Sequence, residues 1–145
     1  MLTDLITSSD ASTRDTALAA ACKDLTLEQL LAEADELDLF RRQSKNLYHR
    51  VRALFFLHAL HRFHLPPKLT GHSVGQIPFE GHEHLLDRRF QEAIDTFLTI
   101  QKEEGPGDAI SSALASSYHQ LAFQTLANQV RKSVRTVRGL SLIHI

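Results

Sequence analysis

The chain is poor in residues that make cross-links and turns. Its 145 residues include one cysteine, four prolines, six glycines and no tryptophan. A single thiol, that of Cys22, excludes an intramolecular disulfide and a metal cluster built from cysteines. So few prolines and glycines favour long regular elements over the closely spaced turns of a β-sandwich.

Long apolar runs are also missing. The densest stretch, residues 53–60, is interrupted by His58 and is far shorter than the roughly 20 apolar residues of a membrane span. Residues 1–4 lack the basic start of a signal peptide, and no apolar run follows them. With 43% hydrophobic residues, 23% charged residues and a net charge of −1, the composition is typical of globular proteins. We expect a cytoplasmic protein that makes no membrane contact.

Helical periodicity dominates the sequence and predicts an all-α domain of about five helices over residues 1–139. Ser8, Ser9 or Asp10 can cap a first helix that runs through the alanine-rich residues 17–22. Thr26 and Gln29 have the spacing of a capping box at the start of a second helix. The apolar stripe of that second helix comprises Leu27, Leu30, Leu31, Ala34 and Leu37.

The third helix is predicted over about residues 40–63, with its start at Phe40 or Ser44. Between residues 51 and 63 apolar side chains fall on nearly every face, which is typical of a buried helix, and we expect this one to be central. Pro66 and Pro67 end it, because proline lacks the N–H donor and restricts the residue before it. Residues 66–81, rich in proline and glycine, form a predicted loop long enough to be either functional or poorly ordered.

Two further helices, over about residues 81–103 and 108–138, are predicted to form an antiparallel hairpin. The break between them, residues 105–107, reads Gly-Pro-Gly, and Asp108 can cap the helix that follows. For the first of the two, the predicted inner side comprises Leu85, Leu86, Phe90, Ala93, Ile94, Phe97 and Leu98. For the second it comprises Ile110, Leu114, Tyr118, Leu121, Leu126 and Val130.

Charge alternates in blocks along the chain. Residues 1–39 carry nine acidic and two basic side chains, and residues 40–70 carry seven basic and no acidic ones. Residues 71–108 are again acidic, and residues 109–145 are basic. Mutual neutralisation between neighbouring helices is the simplest interpretation, and such pairs set register more than stability.

Nine histidines raise the question of a metal site. His58, His61 and His64 stand three apart, which spreads them over one broad side of a helix instead of bringing them to a point. No carboxylate lies between residues 40 and 70, and the helical zinc signature H-E-x-x-H is absent. The neighbours His82 and His84 diverge. We expect no metal.

Nucleophilic and phosphate-binding motifs are absent as well. Cys22 follows an alanine run and is expected to be a small buried thiol. Ser111, Ser112, Ser116 and Ser117 lie within one helix, where they allow close packing, and Glu103 and Glu104 lie beside an exposed break. The turn before Asp108 has the position of an anion site, but its proline removes an N–H and its aspartate repels anions. The sequence therefore predicts no catalytic or cofactor-binding residue and no cofactor.

Two basic clusters remain, and each has two explanations. The first contains Arg41, Arg42, Lys45, Arg50 and Arg52, and the second contains Arg131, Lys132, Arg135 and Arg138. Three residues of the second share one helical face and could meet a polyanion. Cations at a helix C-terminus also suit its dipole. A pI near 6.7 and the lack of interleaved aromatics argue against nucleic acid and favour salt bridges to the acidic segments.

The last six residues, from Leu140 to Ile145, read LSLIHI. They resemble the translation of the transposon mosaic-end adapter used in sequencing libraries, and we expect them not to be native. The alternative is a genuine apolar tail. The first interpretation predicts that the chain is the N-terminal piece of a larger protein.

Three segments resemble the N-terminal helical region of a group of large bacterial proteins. They are FRRQSKNLYHRVRALFFL with HRFHLP (residues 40–57 and 61–66), IPFEG with LDRRFQEAI (77–81 and 86–94), and LAFQTLANQVRKSVRTVRG (121–139). These proteins are described as UTP–glucose-1-phosphate uridylyltransferases or as sugar kinases of the galactokinase, homoserine kinase, mevalonate kinase and phosphomevalonate kinase class. The resemblance implies a non-catalytic segment that scaffolds or docks against a catalytic part. Neither the kinase phosphate loop nor a nucleotidyltransferase loop occurs here, so no site residue is carried over.

A second resemblance concerns residues 90–121. Phe90, Ala93, Ile94, Phe97 and Leu98, followed by a break and a further helix, resemble the junction of two tetratricopeptide repeats. The last helix continues past Leu126 without a turn, which departs from that pattern. This resemblance implies the alternative function, a stand-alone module that binds a protein partner.

Overall fold

The computed structural model describes residues 1–69 and 79–141, with side chains placed as far as residue 133. The middle of the predicted loop, residues 70–78, and the end of the predicted adapter-like tail lie outside the described residues. Within the described ranges every regular element is helical, which confirms the all-α prediction.

Eight α-helices follow one another along the described residues. They are α1 (Asp4–Thr7), α2 (Ala11–Arg14), α3 (Leu18–Cys22), α4 (Leu27–Gln43), α5 (Leu47–Ala59), α6 (Phe79–Leu86), α7 (Phe90–Glu104) and α8 (Asp108–Ser141). A π-helical turn, Leu60–His64, continues α5, and a 3-10 turn, Pro66–Lys68, follows it.

The N-terminal segment is more broken than the sequence predicts. Asp10 does cap a helix, since its carboxylate accepts from the N–H of Ser12, but that helix is only the four-residue α2. Ala17 has extended backbone geometry, so α3 begins anew at Leu18. The helix α1, which the sequence does not predict, places Ile6 in the core, and Leu2, just before it, is buried there as well.

The second predicted helix is confirmed as α4, together with its capping box. The Thr26 hydroxyl accepts from the N–H of Gln29, and the Gln29 side chain accepts from the N–H of Thr26. Three leucine and alanine positions of the predicted stripe, Leu30, Ala34 and Leu37, are buried.

The central helix begins later than the predicted range of residues 40–63. Residues 40–43 belong to α4, and Ser44 is extended, so α5 starts only after the cap of Asn46, whose side chain accepts from the N–H of His49. Its central position is confirmed, because α5 packs against α1, α4 and α8. Leu54, Leu57 and Leu60 are buried.

The predicted helix over residues 81–103 is two helices. Arg88 has a positive φ of 61°, which interrupts the helical geometry between α6 and α7. Leu86, which was predicted to face inward, is 71% exposed. The helix pair still packs closely. Gly81 has no side chain, which leaves room for the ring of Phe97, and a Cβ at this position would collide with that ring.

The helical hairpin of α7 and α8 is confirmed. Gly105, with φ of 87°, ends α7, and Asp108 is the first helical residue of α8 and not the cap before it. Of the predicted inner side of α8, the residues up to Leu121 pack inward. Leu126 and Val130 do not: they are 36% and 61% exposed, because α8 outruns the helices beside it.

Candidate functional site

A buried carboxylate, that of Asp38, organises the polar interior. Three side chains donate to it: Arg41 Nε at 2.9 Å, Arg42 Nε at 2.7 Å and the Tyr118 hydroxyl at 3.0 Å. Asp38 is only 8% exposed. A buried carboxylate with three donors, two of them cationic, is well satisfied, so the network joins α4 firmly to α8.

The same network reaches α7. Arg41 Nη1 donates to Gln91 Oε1 at 2.9 Å, and Arg42 Nη2 donates to Asp95 Oδ1 at 2.6 Å. These contacts confirm in part that the basic segment from residue 40 pairs with acidic segments. Asp38 belongs to the first acidic segment and Asp95 to the second.

His61 and Tyr118 form a buried stack beside the carboxylate. Their ring centroids lie 5.7 Å apart at 21°. Burial lowers the pKa of His61 to about 4, so the ring is neutral, and neither ring nitrogen has a hydrogen-bond partner. Burial, and then the Asp38 carboxylate, raise the pKa of Tyr118 well above its usual value. Tyr118 therefore acts here as a donor.

A row of rings lies in the partly exposed seam between α8 on one side and α5 with its π-helical turn on the other, and we name it the aromatic stripe. Its five rings form a row in which each contacts the next, in the order Phe63, His58, His119, Phe123 and Phe55. The closest pair, His58 and His119, has centroids 4.6 Å apart. Phe63 and Phe123 are 63% and 54% exposed. The stripe is thus an apolar surface open to solvent.

The described side chains of α8 continue this surface beyond the stripe. His119, Phe123, Leu126 and Val130 follow at intervals of four, three and four residues, which places them on one helix face. Every described side chain of α8 from Leu126 onward is exposed. Beside them, Arg88 and Arg131 flank a groove of about 550 Å³ that Phe123 also lines.

The histidines considered as ligands are dispersed. His58 Nδ1 lies 3.0 Å from the carbonyl oxygen of Ala115, His61 faces Tyr118, and His64 is partly buried, which lowers its pKa. His82 and His84 lie on α6. In the part of the chain whose side chains are placed, no three His, Cys, Asp or Glu residues are arranged to hold a metal ion.

Two other candidates have structural roles. Cys22 is buried, as predicted, and burial together with the nearby Glu33 raises the pKa of its thiol to about 11. Among the serines of α8, Ser111 and Ser117 are buried and donate to backbone carbonyls, whereas Ser112 and Ser116 are exposed. Glu103 and Glu104 are exposed at the end of α7.

The second basic cluster is described only in part. Arg131 Nη1 donates to Asn128 Oδ1 at 3.1 Å on the exposed surface of α8. The side chains of Arg135 and Arg138 lie outside the described residues, so their predicted common face stays a prediction.

Sequence reasoning missed both the Asp38 network and the aromatic stripe. Asp38 looks like one more acid of a charged helix, and the position of Tyr118 80 residues away gives no local signal. The stripe did leave a signal, since aromatic residues and histidines recur at helical spacing on two helices that were expected to pack together.

Neither a protein-family model, a curated protein nor a solved structure matches this chain. None of the helices within the described residues has the length and apolar character needed to cross a membrane.

Proposed function

We propose that this chain is a non-catalytic N-terminal helical segment of a larger bacterial sugar-phosphate enzyme, in which it docks against the catalytic part. The enzyme would be a UTP–glucose-1-phosphate uridylyltransferase or a sugar kinase of the galactokinase, homoserine kinase, mevalonate kinase and phosphomevalonate kinase class. The resemblance of residues 40–66, 77–94 and 121–139 to such regions supports the parent, and the exposed aromatic stripe supports docking.

The stripe is the observation that carries the docking role. Exposed aromatic side chains in a continuous row are typical of protein interfaces, where phenylalanine and tyrosine are enriched. Anchors spaced at i, i+4, i+7 and i+11 along α8 present the geometry with which helices recognise one another. The occupant would be an amphipathic helix of the catalytic part.

The charge beside the stripe indicates the polar face of that helix. Arg88 and Arg131 border the groove that Phe123 lines. An occupant with apolar anchors and flanking acidic side chains would complement both features, and the charges would set orientation and association rate more than affinity.

The test begins with the reading frame beyond codon 139 in the source genome. The encoded downstream part, purified separately, is titrated against this chain by calorimetry. We expect binding, and we expect Leu126→Asp to weaken it by about tenfold or more, because an interface leucine replaced by a buried charge costs well over 1.4 kcal/mol.

The matched control is Leu39→Asp, which makes the same substitution at another exposed leucine on α4, 55% exposed and away from the stripe. It should leave binding within about twofold, in keeping with the small effects of surface changes. A stop codon soon after Gly139, or equal loss of binding in both variants, would contradict the proposal.

The alternative is a stand-alone helical module that binds a separate protein. The confirmed α7–α8 hairpin, with Phe90, Ala93, Ile94 and Phe97 buried at tetratricopeptide-like spacing, favours it. A downstream kinase phosphate loop in the same reading frame would exclude this alternative.

A further inference from the structure

A small cavity lies where α4, α5, α7 and α8 meet. Its volume is about 190 Å³, and it is lined by Arg41, Arg50, Leu54, Gln91, Leu121 and Thr125. Two of these six residues are arginines and none is a carboxylate. The cavity therefore has the lining of an anion site with apolar walls.

The two arginines carry unused hydrogen-bond donors. Arg41 is only 7% exposed, and its Nε and Nη1 atoms are bonded to Asp38 and Gln91, but its Nη2 atom is buried with no partner. The Nε atom of Arg50 is also buried with no partner. Buried donors of charged groups are normally satisfied, because leaving one unbonded is costly. The two open donors thus indicate an acceptor from outside the chain.

The local charge balance points the same way. Asp38 is shared by Arg41 and Arg42, and Arg42 also pairs with Asp95. Arg50 makes no ion pair among the described residues. Three guanidinium groups therefore share two carboxylates, which leaves a positive charge that a bound anion would offset.

We propose that this cavity binds a small oxyanion, namely phosphate or the phosphate group of a phosphomonoester. Guanidinium groups on two different helices can donate to different oxygens of a tetrahedral phosphate, whereas a carboxylate offers only two oxygens in one plane. Leu54 and Leu121 give the cavity apolar walls, and electrostatic attraction is stronger beside apolar groups than in open water. Thr125 donates its hydroxyl hydrogen to the carbonyl of Leu121 and acts as a wall.

The test is a calorimetric titration of the whole chain with inorganic phosphate at constant ionic strength, with chloride as the balancing anion. We expect one site per chain. Arg50→Gln should weaken phosphate binding by about tenfold or more, because a charge-assisted hydrogen bond is lost. Arg50→Lys keeps the charge but not the guanidinium geometry, so its phosphate affinity should lie between that of the unsubstituted chain and that of Arg50→Gln.

The matched control is Lys45→Gln, which removes one positive charge from an exposed position that does not line the cavity. It should bind phosphate within about twofold of the unsubstituted chain, as expected for a screened surface charge. A second measurement is the phosphate-dependent rise in melting temperature at one fixed phosphate concentration. It should be unchanged in Lys45→Gln and clearly smaller in Arg50→Gln.

Three results would overturn the proposal. They are no saturable phosphate binding by the unsubstituted chain, equal weakening in Arg50→Gln and Lys45→Gln, and acetate binding as tight as that of phosphate. The second would show a general attraction to positive charge, and the third would show a carboxylate site.

Discussion

The hydroxyl of Ser111 donates to the main-chain carbonyl of His61 at 2.6 Å, across the junction of α8 with the π-helical turn. The chain cannot satisfy that carbonyl in the pattern of the turn. The N–H of Leu65 is bonded to Leu60, and the next residue, Pro66, has no N–H. A serine on a different helix therefore supplies the donor that the proline lacks.

Ser111→Ala should lower the free energy of unfolding by about 1–3 kcal/mol, because it leaves a buried carbonyl unsatisfied. Ser117→Ala is the matched control: Ser117 is equally buried, but its hydroxyl donates to the carbonyl of Ala113 in its own helix. Because that carbonyl lies within the helix and can keep its helical hydrogen bond, Ser117→Ala should lower the free energy of unfolding by less than Ser111→Ala. Denaturation in urea measures both, and equal losses would refute the role of Pro66.

His61 should make the protein less stable in acid. Its pKa is about 4 in the folded chain against 6.5 for an unburied histidine, so between these values the unfolded state binds a proton that the folded state does not. The contribution of His61 to the free energy of unfolding is therefore fully present above about pH 6.5. It falls by up to about 1.4 kcal/mol per pH unit as the pH approaches 4, in total by about 3 kcal/mol. His58 and Asp38 face the ring and have opposite effects on the pKa.

His61→Leu should remove most of this dependence between pH 4 and 6.5, since leucine cannot be protonated. His82→Leu, at an exposed histidine, should retain the dependence. The measurement is the free energy of unfolding of each variant at several pH values. Parallel curves for the two variants would show that His61 is not the group responsible.

Tyr118→Phe should destabilise the fold by about 1.5–3 kcal/mol, because Asp38 loses a donor while it stays buried. The control, Tyr48→Phe, changes a tyrosine that is 64% exposed and should have an effect below about 0.5 kcal/mol. Chemical denaturation of the two variants provides the comparison. Equal stabilities would mean that the two arginines alone satisfy the carboxylate.

Val130→Pro should leave the core intact. It breaks the helix where the described side chains of α8 are exposed, so we expect a loss of circular dichroism signal with little change in melting temperature. Ala122→Pro, at a fully buried position of the same helix, should cost about 3 kcal/mol or more. A large drop in melting temperature for Val130→Pro would show that the far half of α8 supports the bundle.

The helical content, the Thr26 capping box and the α7–α8 hairpin could be predicted from the sequence, because each is indicated by a pattern within a few residues. The break at Arg88 could not, since an arginine in left-handed geometry has no local signature. The prediction that Leu126 and Val130 point inward was wrong. Periodicity identifies the apolar face of a helix but does not show whether another helix packs against that face. The Asp38 network depends on pairing between distant helices, which no pattern in one sequence reveals.

The length of α8 sets the distance between the helical bundle and the far end of this helix. Beyond Thr125 the helix continues for 14 residues to Gly139, after which the residues that we expect not to be native follow, and at 1.5 Å per residue that extension spans about 21 Å. For a part of the protein that follows this end, the number of residues in the extension sets both its separation from the bundle and its rotation about the helix axis. An insertion or deletion of two residues would move such a part by about 3 Å and turn it by roughly 200°, so we expect substitutions in the extension to disturb the arrangement less than insertions or deletions.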